Sequence, residues 1–109
     1  MKLVWAVVQN EDAGTLINAL TKREYRLTRI NTAGGFLRQG NATIVLGVEN
    51  DQVEEVMSII RQNCQTRTKE VLPIPLGLEP GEFYVPEPVQ VEVGGATVFV
   101  MELADFRHL

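Results

Sequence analysis

Apolar and polar positions divide the chain into stretches of two periodicities. Leu3–Val8 is a continuous apolar run, the pattern of a buried strand. Asn10 follows as a candidate helix cap, and Glu11 and Asp12 suit the positive end of a helix. Ala13, Leu16, Ile17 and Leu20 recur at helical spacing, and Lys22-Arg23 fit a last turn. Arg26–Asn31 reads as a second strand, with Arg26, Thr28 and Ile30 on one face and Leu27 and Arg29 on the other. Ala42–Val48 is a third. Asp51 and Glu54 have capping-box spacing, and Val53, Val56, Met57, Ile60 and Cys64 then mark one face of a second helix.

From Gln65 to Pro88 the periodicity is lost. All five prolines of the chain fall here, together with Gly77 and Gly81. An irregular segment of about two dozen residues inside a small domain is expected to be functional or disordered. Val71–Ile74 is a candidate short edge strand, where proline is tolerated. Val89–Val93 and Ala96–Leu103 read as two strands around Gly94-Gly95, a two-residue hairpin signal. Strand, helix, strand, strand, helix, strand, with one extra strand, is the order of an α+β, ferredoxin-like split βαβ fold. Helices on one face of such a sheet leave the other face open. Val98 and Val100 alternate with Thr97, Phe99 and Met101, so the last strand is largely apolar on both faces. Either a second subunit covers the open face, giving a symmetric homo-oligomer, or the long segment folds back over it.

Length and charge narrow the function classes. The chain has 109 residues, which fits a single domain spanning 1–109. No apolar run is long enough to cross a bilayer, and no leader is visible at Met1-Lys2. Cys64 is the only cysteine, so no internal disulfide forms, and a reducing cytoplasmic setting is expected. A net charge of −4 speaks against binding a nucleic-acid polymer, which needs many phosphate contacts. A small anionic ligand needs only a local cluster of donors.

Residues 32–47 carry such chemistry. Gly34-Gly35 frees the backbone for close approach, Phe36 offers an aromatic plate, and Arg38 and Asn41 add a cation and an amide. That set suits a nucleotide better than a metal. Thr32-Ala33-Gly34-Gly35-Phe36-Leu37, Gly40-Asn41-Ala42-Thr43 and Gly47-Val48-Glu49, together with Val91-Glu92-Val93-Gly94-Gly95-Ala96-Thr97-Val98-Phe99-Val100, resemble the PII-like cyclic di-AMP receptor family of Gram-positive bacteria. Glu54-Glu55, Asn63-Cys64 and Tyr84-Val85-Pro86 extend the match over essentially the whole chain. The resemblance implies a homotrimer of ferredoxin-like subunits with ligand sites in the clefts between neighbours. It also implies a short loop between strands 2 and 3 and a long one after helix 2, in agreement with the lengths read above.

Cyclic di-AMP has two adenines and two phosphodiester anions. By resemblance, Phe36 is the main stacking plate, and Phe99 is a second apolar contact from the neighbouring subunit. Stacking on an aromatic side chain is worth about 1–3 kcal/mol per base. Packing within the sheet is an equally good reading of Phe99. Arg26 and Thr28, two apart on one strand face, suit one anion, and the resemblance puts both at the ligand. Gly35 and Leu37 offer backbone groups. The Asn41 amide both donates and accepts, matching the edge of adenine, although a turn residue after Gly40 is the plainer reading. Gly47 inside a strand signals close approach of another backbone or a ligand. Arg29 and Arg38 read as solvated charges. Family members carry a glutamine near the ligand where this chain has His108.

Enzyme classes find little support. The one histidine, His108, and the one cysteine make neither a nucleophilic triad nor a common zinc site. Glu54 and Glu55 are adjacent on a helix and face different ways. Gln9-Asn10-Glu11-Asp12 after the first strand would repel phosphate, and no aromatic-rich RNA-binding strand is present. Two readings remain: a receptor of cyclic di-AMP that relays through the Thr66–Pro88 loop to an unknown protein partner, or a PII-like sensor of ATP or another adenine nucleotide. Neither calls for a cofactor, a metal or membrane insertion.

Overall fold

The computed structural model describes residues 1–31, 41–71 and 87–109. In chain order the elements are β1 (Lys2–Gln9), α1 (Asn10–Lys22), β2 (Thr28–Asn31), β3 (Asn41–Val48), a 3-10 turn (Asn50–Gln52), α2 (Val53–Asn63), β4 (Arg67–Val71), β5 (Val89–Val93) and β6 (Ala96–Glu102). Four strands form an antiparallel sheet in the order β2-β3-β1-β6. With β6 as its last strand, this is the ferredoxin-like arrangement expected from the element order. β4 and β5 form a separate two-stranded ribbon.

Alternation along the strands decides which residues the helices cover. Val4, Ala6 and Val8 of β1 and Ala42, Ile44, Leu46 and Val48 of β3 are buried. They share one core with Ala13, Leu16 and Leu20 of α1 and with Val56, Ile59 and Ile60 of α2. Complete burial of a leucine or isoleucine such as Leu16, Leu20 or Ile44 contributes about 1.5–3 kcal/mol each. Ile17, expected on the apolar stripe, is only partly buried, whereas Ile59 completes the α2 face. Cys64 closes that face just beyond α2. Burial, and the nearby Asp12 carboxylate, push its thiol up to about 11, so it stays protonated at neutral pH.

Four local expectations are corrected. β2 begins at Thr28, so Arg26 lies in the irregular approach to the strand rather than within it. Asn10 does not cap α1. Gln9 holds the cap position and makes no side-chain cap bond, because its carboxamide is engaged elsewhere. The capping box lies two residues earlier than Asp51 and Glu54: Glu49 and Gln52 cap the 3-10 turn reciprocally, with the Glu49 N–H donating to Gln52 Oε1 at 2.8 Å. β4 spans Arg67–Val71, before and into the expected edge strand Val71–Ile74, whose last three residues lie outside the described ones. Finally, Gly94-Gly95 does not join a hairpin. β5 pairs with β4, while β6 pairs with β1. The two glycines, at φ +87° and +83°, carry the chain from the ribbon into the main sheet. Positive φ serves a crossover as well as a hairpin turn, which is why the sequence signal was ambiguous.

Two further contacts hold the ribbon to the body. Arg67 of β4 makes a bidentate ion pair with the buried Asp12 of α1, at 2.8 and 3.3 Å. That carboxylate pulls the guanidinium pKa further upward. The Gly95 N–H donates to the Cys64 carbonyl at 2.6 Å.

Candidate functional site

The face of the main sheet opposite the helices carries the residues of the other parity. Registers align them in rows. Thr28 of β2 is opposite Val45 of β3; Val45 is opposite Trp5 of β1; Trp5 is opposite Phe99 of β6. One row along, Ile30, Thr43, Val7 and Thr97 lie in line, and beyond them Asn41 pairs with Gln9. On the other side, Gly47, Leu3 and Met101 form the end row. Thr28, Asn41, Gly47 and Phe99 therefore share one face.

Among the described residues this face is apolar and open; the expected alternative, a long segment folded back over it, lies largely outside them. Trp5 is 36% exposed, and Phe99, on the edge strand, is 52% exposed. Phe99 is thus not part of the core formed by the described residues. Val100 and Met101, at 42% and 43%, show that the described residues leave both sides of β6 partly uncovered. Thr28 and Phe99 stand at opposite edges of the sheet, three strand spacings or about 14 Å apart. Asn41 lies about 13 Å along β3 from the Val45 row, at about 3.3 Å per residue.

The remaining expected site residues divide as follows. Arg26 is exposed two residues before Thr28, with no side-chain partner among the described residues. Arg29 is on the helix side of β2 and its Nε donates to Asn31 Oδ1 at 2.9 Å, in keeping with a surface pair. Gly35, Phe36 and Leu37, along with Arg38, lie outside the described residues. Gly47 is approached from the same chain: a Cβ there would meet Leu103 Cδ1 and the Phe106 ring at 3.5 Å. The tail turns onto the open face here, fixed by the Leu103 N–H donating to the Met1 carbonyl at 3.1 Å. His108 belongs to this exposed tail.

A hollow of about 200 Å³ opens at the Asn41 end of the sheet, lined by Val7, Gln9, Asn41, Gly95, Ala96 and Thr97. Sequence reasoning did not single out Gln9, because its significance comes from its register with Asn41. A larger groove of about 460 Å³ runs between α2 and β6 on the helix side. It shares Ala96 with the Asn41 hollow, but its lining, with Met57, Ile60, Cys64 and Val98, is mostly apolar and includes neither Thr28 nor Asn41. We therefore take the Asn41 hollow, with its amides, as the more suitable surface for a base edge. Among the described residues no cluster of His, Cys, Asp or Glu is arranged to hold a metal ion, and no helix is long and apolar enough to cross a membrane.

Two of the solved structures that resemble this arrangement bear on its identity. A functionally unknown protein from Pediococcus pentosaceus ATCC 25745 is 36% identical, with a TM-score of 0.75 over 99% of this chain and 96% of its own. Arabidopsis thaliana PII bound to citrate is 19% identical, with a TM-score of 0.64 over 99% of this chain and 79% of its own. The second likeness establishes a PII-like fold. The sequence profile of the cyclic-di-AMP receptor family matches residues 1–109. The chain therefore belongs to the cyclic-di-AMP receptor family.

Proposed function

We propose that this protein binds cyclic di-AMP without transforming it, in the clefts between subunits of a cytoplasmic homotrimer. The observation that carries the reading is the shared face of Thr28, Asn41, Gly47 and Phe99, with Thr28 and Phe99 on opposite edges. Residues that far apart on one sheet serve one ligand most readily when edges of two subunits meet. The Asn41 hollow, about 200 Å³, is also small beside ligand pockets of about 300–1,000 Å³, so the single chain supplies part of a site.

The roles follow from chemistry. Arg26 and the Thr28 hydroxyl hold a phosphodiester anion. The Asn41 amide reads an adenine edge, while Gly35 and Leu37 contribute backbone groups. Phe36 stacks on one base, and Phe99 of a neighbouring subunit packs on the other side. Gly47 keeps the strand low beneath the ligand and the tail. Occupancy changes the surface that residues 32–40 and 66–88 offer to a downstream protein.

Titration calorimetry with cyclic di-AMP, cyclic di-GMP and ATP tests this. Saturable binding of cyclic di-AMP, one per chain, with no binding of the other two at equal concentration, is expected. Binding of ATP alone would replace this reading with that of an adenine-nucleotide sensor.

A further inference from the structure

Gln9 is the last residue of β1 and the register partner of Asn41 in β3. Its side chain does not cap α1, although it occupies the cap position. Instead Oε1 accepts a hydrogen bond from the Gly94 N–H at 2.8 Å. Gly94 directly follows β5, at the point where the ribbon passes into the main sheet. It is confined from the other side as well: a Cβ on Gly94 would stand 2.2 Å from the Gln65 carbonyl oxygen. Gln9 thus spans from the backbone position beside Asn41 to the base of the ribbon.

The ties of the ribbon differ in kind: β4 is held by ion pairs of Arg67 with Asp12 and of Lys69 with Glu11, and the exit of β5 by neutral bonds from the Gly94 N–H to Gln9 and from the Gly95 N–H to the Cys64 carbonyl. The bidentate, charge-assisted pair of Arg67 with Asp12 is the firm anchor. Of the two neutral bonds, Gln9–Gly94 is the one made by a side chain and the one in register with the Asn41 hollow, whose lining includes both Gln9 and Gly95. A displacement of β3 at Asn41 is carried by the β1–β3 ladder to Gln9, and from there to Gly94.

We propose that Gln9 is a positioning residue that couples occupancy beside Asn41 to the setting of the β4–β5 ribbon. The proposal rests on the reading of Asn41 as part of the nucleotide site. A neutral hydrogen bond biases such an equilibrium by up to about tenfold, which sets the size of the expected effect.

The test is amide hydrogen exchange in Arg67–Val71 and Val89–Val93, with and without cyclic di-AMP, in the full chain and in two variants. Gln9→Met keeps the length of the side chain and removes the oxygen acceptor. Gln9→Glu keeps an acceptor for the Gly94 N–H. Calorimetry first establishes binding and the concentration that saturates each protein, since the added charge of Gln9→Glu lowers affinity for an anion. At saturation, cyclic di-AMP is expected to slow ribbon exchange several-fold in the natural protein and in Gln9→Glu, but not in Gln9→Met. Equal protection in Gln9→Met, its loss in Gln9→Glu, or an unchanged ribbon in the bound natural protein would each overturn the coupling while leaving the receptor reading intact. Absence of calorimetric binding to the natural protein would overturn both, and is told apart at that first step.

Discussion

Arg26→Ala lowers the affinity for cyclic di-AMP by about 10- to 100-fold. A hydrogen bond to a charged group contributes about 1.5–3 kcal/mol, and each 1.4 kcal/mol or so is a factor of ten in the dissociation constant. Arg26 is exposed and precedes β2, so its loss leaves the core of α1, α2 and the sheet untouched. The melting temperature therefore stays nearly constant, as for most surface substitutions. Arg26→Lys retains the charge but not the planar fork, and falls between the two. Added salt weakens the natural protein more than the alanine variant, because part of the attraction is screened. Phe36→Ala removes a stacking partner worth about 1–3 kcal/mol, a loss of similar size that is insensitive to salt. Calorimetry at two salt concentrations measures both. Unchanged affinity in the two alanine variants would remove the site assignment.

Gly94→Ala is the substitution expected to cost most stability. At φ +87° any side chain strains the backbone, at about 1–3 kcal/mol. The new Cβ would also lie 2.2 Å from the Gln65 carbonyl oxygen and 2.8 Å from Arg67 Nη1. The guanidinium can swing aside, but Gln65 is backbone at the joint between α2 and β4. Gly94 must therefore withdraw, which stretches its bond to Gln9 and disturbs the ribbon base. At about 4–8 °C per kcal/mol for a domain near this size, a combined loss of about 2–4 kcal/mol lowers the melting temperature by about 10–25 °C. Gly95→Ala is the control. Its φ is similar, at +83°, but its Cβ would meet only the Thr66 hydroxyl, at 3.1 Å. A smaller loss is expected there, and equal melting temperatures for the two variants would contradict the close approach at Gly94.

The difference between these neighbouring glycines shows where sequence reading stops. Apolar periodicity made β1, β3, α1 and α2 legible, because Val4, Ala6, Ile44, Leu16 and Val56 face a common core. It did not reveal β4. All five of its residues are exposed, and Arg-Thr-Lys-Glu-Val carries no apolar stripe. Without β4, the natural partner for β5 was β6, and a hairpin followed. The cap of α1 was misassigned for a related reason: Gln9 is drawn to Gly94, and only the tertiary fold brings Gly94 near.

The candidate site was legible in part. Once β3 is seen to begin at Asn41, one residue before the expected Ala42, strand alternation puts Asn41 and Gly47 on one face, and register then adds Thr28 and Phe99. That Phe99 is an open edge residue rather than core is a result of the sheet order. The Phe106 side chain over Gly47 carried no signal, since it lies in a tail without periodicity, and Leu103 read as the end of the last strand, which stops at Glu102. Gly35, Phe36 and Leu37 rest on the family resemblance, and lie outside the described residues.

The central claim is that each site is assembled by two subunits and accepts one cyclic di-AMP. Native mass spectrometry with increasing nucleotide tests both parts at once. Three chains carrying up to three cyclic di-AMP molecules, with none on the monomer, is the predicted result. A monomer that binds cyclic di-AMP as tightly as the assembly would contradict it.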